Sequence, residues 1–184
     1  KIWYLPTGSI SGAATSINFG GFSKLGGKLI AMASWTRDGG SGVDDVAVFI
    51  TSKGEAHLYS GTDPSSSTTW ARLGTFRIPE PVGYRCIIKT GGDVGILTSA
   101  GLVPLSAILP LATSGQSKVA ATEKIGNAFS AAYKAAASSF GWQAIEAPTD
   151  KLLLVNIPIL AGATFHQYVM NSVTGKWCRF KGLA

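Results

Sequence analysis

Apolar and polar positions alternate along this chain in short runs, and Gly, Pro, Asn, Asp or Ser breaks most of them. A period of two sets successive side chains on opposite faces of an extended backbone, so each run predicts a half-buried strand. Strands are expected at Ile2–Leu5, Lys28–Trp35, Val46–Thr51, Glu55–Tyr59, Trp70–Ile78, Tyr84–Lys89, Val94–Thr98, Leu102–Leu105, Trp142–Ile145, Lys151–Ile157, Phe165–Asn171 and Lys176–Phe180. Three breaks read as hairpin turns: Ser52-Lys53-Gly54, Ser99-Ala100-Gly101 and Val173-Thr174-Gly175. Each offers Gly where a tight turn asks for a positive φ.

One stretch departs from this period. Between Lys118 and Phe140 the chain is rich in Ala, and Val119, Ile125, Phe129, Ala132 and Tyr133 fall near helical spacing, with Gly141 as a stop signal. The pattern predicts one helix of about five turns, with Gly126 as the place for a bend. Two loops also stand out. Arg37–Asp45 reads as a flexible, charged insertion, and Gly61–Thr69 as a Ser/Thr-rich turn in which Pro64 follows Asp63 at the start of a type I turn.

The chain repeats itself. DVAVFITSKGEAHLYS at 45–60 is echoed by DVGILTSAGLVPLS at 93–106, with Thr51-Ser52-Lys53-Gly54 falling on Thr98-Ser99-Ala100-Gly101 at an offset of 47 residues. Trp70-Ala71-Arg72-Leu73 and Trp177-Cys178-Arg179-Phe180 share a Trp-x-Arg-apolar strand. A period of roughly 40–50 residues built on small antiparallel sheets is that of β-propeller blades. The expected fold class is therefore mainly β, with β-propeller-like repeated antiparallel sheets and one inserted helix at about 118–140. The repeat units are about 28–80, 84–140 and 142–182, within a single β-rich domain spanning 1–184. In the second unit the helix is expected to stand in place of the outer strand. Lys1 and the closing KGLA both read as cut ends, so the chain is expected to be a portion of a longer polypeptide.

Composition narrows the function classes. Hydrophobic residues make up 46% of the 184 and charged ones 14%, which excludes disorder and suggests a surface that meets other protein. The net charge of +6 is mildly basic and fits contact with nucleic acid, although no dense basic block is present. No apolar run approaches the ~20 residues of a membrane-spanning helix. The two cysteines, Cys86 and Cys178, lie in apolar strand patterns without metal-site spacing and read as buried thiols.

Catalytic signals are thin. The two histidines, His57 and His166, sit inside strands and read as solvent-facing or hydrogen-bonded structural residues. Gly8-Ser9-Ile10-Ser11-Gly12 places Ile where a nucleophile elbow needs Ser. The stretch from Gly21 to Lys28 puts Gly27 where a phosphate loop needs Lys. Ser60-Gly61-Thr62-Asp63 before Trp70 approaches the Asp box of sialidase-like propellers, but its Asp is one residue late and the following Gly is missing. Asp38, Asp44, Asp45 and Asp63 all lie in loops; Asp44-Asp45 with Asp38 is a weak candidate for a cation, and no acid pair for glycoside hydrolysis is evident. No cofactor, metal or catalytic residue is assigned. Basic residues interleave with aromatics at Trp70, Arg72, Phe76, Arg77 and at Trp177, Arg179, Phe180, Lys181, so that Arg is expected on one strand face with aromatics on the other, or stacked on Trp. With Arg85, the residues Arg72, Arg77, Arg179 and Lys181 are the candidate basic contacts of an interface or a channel that passes DNA without reading its sequence.

Taken together, DDVAVFITSKGEAHLYSGTDPSSSTTWARLGTFRIPEPVGYRC, GDVGILTSAGLVPLS, GWQ, LLLVNIP and HQYVMNSVTGKWCRF resemble the tail, nozzle or packaged-DNA-stabilisation proteins of short-tailed phages and prophages. The resemblance runs from about Lys28 to Gly182, and YVMNSVTGKWCRF is its most specific part. It implies a virion structural protein with propeller-like β domains, made in the host bacterial cytoplasm and located in the virion tail. It further implies assembly as a homo-oligomeric ring around the DNA exit channel, beside other tail and portal or adaptor proteins. The family brings no catalytic residues to this chain, which is far shorter than its full-length members. The alternative reading is a carbohydrate-binding propeller or adhesin module that uses Trp and Asp-rich loops; a glycosidase would need the missing acid pair.

Overall fold

A computed structural model describes residues 1–38, 43–110, 118–160 and 164–181, with thirteen strands among them. The chain divides into two units, Lys1–Arg77 and Ile78–Ala184.

The first unit begins with a short antiparallel pair, β1 (Ile2–Tyr4) and β2 (Thr15–Ile17). A single 3-10 turn, Phe19–Gly21, follows, opened by Asn18, whose Oδ1 accepts the Gly20 N–H at 3.0 Å. Four strands then run up and down in chain order: β3 (Leu29–Asp38), β4 (Val43–Thr51), β5 (Glu55–Ser60) and β6 (Ala71–Arg77). Every neighbour is antiparallel. One face of this meander carries Val46, Val48, Ile50, Ala56 and Leu58, all buried. The other carries Phe49 and Tyr59, against which Phe19 packs with ring centroids at 5.1 and 5.5 Å. Because apolar residues occupy both faces of β4 and β5, these strands read as apolar runs rather than clean alternation.

The second unit holds a three-stranded meander, β7 (Ile87–Thr90), β8 (Asp93–Thr98) and β9 (Gly101–Pro104). A one-turn helix α1 (Leu105–Ile108) follows, and Asp93 Oδ1 accepts the Ser106 N–H at 3.2 Å. After a 3-10 turn at Glu123–Ile125 comes α2 (Gly126–Ala136). The unit closes with β10 (Gln143–Ala147), β11 (Leu152–Leu160), β12 (Thr164–Asn171) and β13 (Trp177–Lys181), again antiparallel and in chain order. Phe129 of α2 meets Trp142 edge to face at 5.7 Å. Leu153, Val155 and Ile157 bury one face of β11. No helix among the described residues is long and apolar enough to cross a membrane.

The mainly β class and the hairpin turns stand as expected. Gly54, Gly101 and Gly175 have φ of 82°, 116° and 63°. The repeated Thr-Ser-x-Gly has a common cause, since a buried Thr hydroxyl plugs each turn. Thr51 Oγ1 accepts the Glu55 N–H at 3.1 Å, and Thr98 Oγ1 accepts the Ala100 N–H at 3.2 Å and donates to the Gly101 carbonyl at 2.9 Å. The two Trp-x-Arg segments fall at the last strand of each four-stranded meander, Trp70 just ahead of β6 and Trp177 as the first residue of β13.

The helix expected over 118–140 is corrected to Gly126–Ala136. Its first residues are taken by another partner: the Ala121 N–H donates to the Leu102 carbonyl at 2.8 Å, and the Thr122 hydroxyl accepts the Leu102 N–H at 3.1 Å. This segment therefore occupies the edge of β9 where an outer strand would lie. At the other end, Trp142 Nε1 donates to the Ala136 carbonyl at 2.7 Å and caps the helix early. The turn after Asp63 forms as expected, with the Ser66 N–H on the Asp63 carbonyl at 3.1 Å.

Candidate functional site

The most concentrated polar chemistry lies in the first unit, on the face of β5 that the N-terminal segment covers. Alternation sends Glu55, His57 and Tyr59 to this face, and all three are buried. On β6 an irregularity at Leu73 shifts the register so that Arg72 stands opposite Tyr59, Thr75 opposite His57 and Arg77 opposite Glu55. Without that extra residue, Phe76 rather than Thr75 and Arg77 would share the face of Arg72.

These side chains form a connected line. Arg72 lies over the Phe22 ring at 4.6 Å, and its Nη1 donates to Thr75 Oγ1 at 3.4 Å. Thr75 Oγ1 is 2.9 Å from His57 Nδ1, and His57 Nε2 is 4.0 Å from Glu55 Oε2 with no hydrogen-bond partner of its own. The Glu55 carboxylate turns outward to the loop: Oε1 accepts the N–H groups of Lys24 at 2.8 Å and Leu25 at 3.2 Å, and Oε2 accepts the Ser23 hydroxyl. Phe19 stacks on the His57 ring at 5.4 Å. A cavity of about 200 Å³ adjoins, lined by Asn18, Phe19, Ser23, Leu29, Thr51 and His57.

Electrostatics set the resting charges. Burial pushes the Glu55 carboxyl up, but the Ser23 hydroxyl, the two backbone N–H groups and His57 outweigh it, so Glu55 titrates below its ordinary value. Burial, with help from Arg72, holds His57 below the ordinary imidazole value despite the opposing pull of Glu55. The resting pair is a carboxylate beside a neutral ring. Ser23, Glu55 and His57 are not arranged as a Ser-His-acid triad: the hydroxyl donates to the carboxylate, and the imidazole does not contact it. The arrangement acts as a clasp that fastens the Ser23–Leu25 loop to the sheet.

The five basic candidates fall in separate places. Arg72 belongs to the clasp line, and Arg77 stands across from Glu55. Arg85 donates to Gln143 Oε1 at 3.4 Å, with its guanidinium 5.9 Å from the centre of the Phe140 ring. Arg179 and Lys181 share one face of β13 with Trp177, opposite Tyr168 and His166 on β12. Burial first, then Arg179 and Lys181, hold His166 below the ordinary imidazole value. Arg179, Trp177 and Tyr168 line a cavity of about 310 Å³ with Ile125, Ala128 and Cys178. The expected separation of Arg from the aromatics therefore fails for Trp177, and Arg72 stacks on Phe22 rather than on a tryptophan.

His57 is the hydrogen-bonded structural residue of the sequence reading rather than a solvent-facing one. Cys86 is buried as expected, but Cys178 is exposed, because β13 is an edge strand. Asp63 is engaged by its own turn, accepting the Ser65 N–H at 2.9 Å and the Ser65 hydroxyl at 2.7 Å. Among the described residues no group of three His, Cys, Asp or Glu could hold a metal. The loop expected for Asp38, Asp44 and Asp45 is corrected, since Asp38 ends β3 and Asp44 and Asp45 belong to β4; Asp45 accepts the Thr36 hydroxyl at 2.8 Å, while the side chains of Asp38 and Asp44 lie outside the described residues.

Sequence reasoning missed Glu55 and Ser23. The one available signal was a carboxylate set between Gly54 and an apolar strand, since a buried acid there must find donors. No family model, curated protein or solved structure matches this chain.

Proposed function

We propose that this chain is a structural module of a phage tail, propeller-like in its repeated sheets and part of a ring around the DNA exit channel. The observation that carries the reading is the recurrence of one architecture. Two four-stranded meanders run in strict chain order, and a Trp-x-Arg segment opens the last strand of each, Trp177–Arg179 at the start of β13 and Trp70–Arg72 with its Trp just ahead of β6. Blades of a propeller are meanders of this kind.

Two surface features support an assembled state. Large apolar side chains stand well exposed, among them Trp3 at 64%, Met32 at 67%, Tyr84 at 70% and Phe140 at 73%, and a protein that packs against other subunits has use for them. Arg72, Arg77, Arg85, Arg179 and Lys181 are exposed on a chain of net charge +6, which suits phosphate contacts that ignore sequence.

The test is the assembly state of the polypeptide that contains this chain, by mass photometry and negative-stain imaging. A closed multimer with a central opening is expected, with DNA affinity that falls steeply with salt. A strict monomer under all concentrations and salts, or a protein that binds glycans and no DNA, would overturn the reading.

A further inference from the structure

The clasp leaves one polar atom unexplained. His57 is fully buried, and its Nε2 has no hydrogen-bond partner although a carboxylate oxygen lies only 4.0 Å away. Thr75 Oγ1, which accepts a hydrogen from Arg72 at 3.4 Å, is the partner of His57 Nδ1 at 2.9 Å, so the ring's other nitrogen is the one that faces Glu55. Nε2 stops about 1 Å short of a charge-assisted bond to that carboxylate, which forms near 2.8 Å. Glu55 cannot close the gap while Ser23, Lys24 and Leu25 hold it.

We propose that His57 is a proton-operated latch: a second proton on its ring draws Glu55 off Ser23, Lys24 and Leu25 and releases residues 19–27 from the meander face. With both ring nitrogens protonated, Thr75 Oγ1 accepts from Nδ1 and from Arg72, and the Nε2 N–H faces Glu55. The imidazolium is then a buried charge that must have a counterion. The groups that face it decide which. From β5 these are Glu55 and the neutral phenol of Tyr59; from β6 they are Arg72 and, opposite Glu55, Arg77. Lys1 lines the adjoining cavity, and Phe19 from the N-terminal turn, with Phe49 and Thr51 from β4, brings no charge. Glu55 is the one anion in this set. Its movement to the ring satisfies the pair and strips the loop of its acceptor. Three donors then return to water, and the loop that carries Phe19 and Phe22 comes loose, uncovering the Phe49–Tyr59 face.

Backbone hydrogen exchange on the intact chain tests this, read as protection factors so that the pH dependence of free amides cancels. As pH falls from about 7.5 through the folded value of His57, which lies below the ordinary imidazole value, protection of residues 19–27 should fall by about tenfold or more, with strands β4 and β5 unchanged. His57→Gln keeps a partner for Thr75 and cannot take the proton, so its loop should stay protected over the same range. Wild-type protection that does not change, or a His57→Gln loop that loosens as the wild type does, overturns the latch. Should that variant fail to fold, the wild-type ring nitrogens and the Lys24 and Leu25 amides are followed together by NMR. A shared midpoint supports the proposal, and separate midpoints overturn it.

Discussion

Leu102 donates its backbone N–H to the Thr122 hydroxyl at 3.1 Å, and both residues are buried. With the Ala121 N–H on the Leu102 carbonyl, this bond closes the edge of a three-stranded meander that has no fourth strand among the described residues.

Thr122→Val keeps the shape and removes the acceptor, leaving a buried N–H without a partner. The cost should be about 1–3 kcal/mol, read as a lower midpoint in urea unfolding, while Thr122→Ser should lose well under half of that. Equal losses in the two variants would place the effect in packing rather than in the bond.

Gly101 sits under the same hydroxyl. A Cβ there would stand 2.1 Å from Thr122 Oγ1 on a backbone with φ of 116°. Gly101→Ala should therefore cost about 2–4 kcal/mol, through strain and displacement of the Thr122 bond together. Gly91, with φ of 59° and open space where its Cβ would be, is the control, and its replacement by Ala should cost only ~1 kcal/mol. Thermal unfolding of the two variants side by side decides the matter.

These two residues also mark how far the sequence could be read. Thr-Ser-x-Gly is local chemistry, a hydroxyl and a positive φ within four positions, so both hairpins were legible in full. The helix was half legible. Its Ala-rich spacing is genuine over Gly126–Ala136, but Ala121 and Thr122 bond to Leu102, about twenty positions back, and no local pattern reports that partner. Strand β2 escaped notice because three residues in a Gly- and Ser-rich stretch carry no measurable period. The clasp was the least visible: the amides of Lys24 and Leu25 reach Glu55 from 31 and 30 residues away, and a lone Glu at a strand start looks like any solvated acid.

Thiol labelling should separate the two cysteines. Burial pushes the Cys86 thiol up to about 11, which leaves almost no thiolate at neutral pH, and its side chain is inaccessible besides. Cys178 is exposed on the edge strand. One equivalent of a maleimide reagent should react with native protein, at Cys178 by peptide mapping, and a second only after denaturation. Prompt native labelling of Cys86 would contradict its placement.

The acid response of the first unit follows from the signs of two shifts. Glu55 titrates below its ordinary value of 4.5 when folded, so its contribution to stability is complete above that value and is lost as pH falls through the folded one. His57 titrates below 6.5 when folded, so the unfolded chain takes up its proton first, and stability declines as pH drops from 6.5 toward the folded value. The two losses run in the same direction and in sequence, the histidine starting nearer neutrality and the carboxylate deepening the fall below about 4.5. His166 adds a decline of the same sign from the second unit. Melting temperature measured against pH should therefore fall gently from 6.5 downward in the wild type. His57→Gln should remove part of the upper slope and leave the lower one, whereas Glu55→Gln should lower stability at neutral pH and flatten the curve below 4.5. If Glu55→Gln instead melted like the wild type at neutral pH, the carboxylate's bonds to Ser23, Lys24 and Leu25 would not be holding the loop.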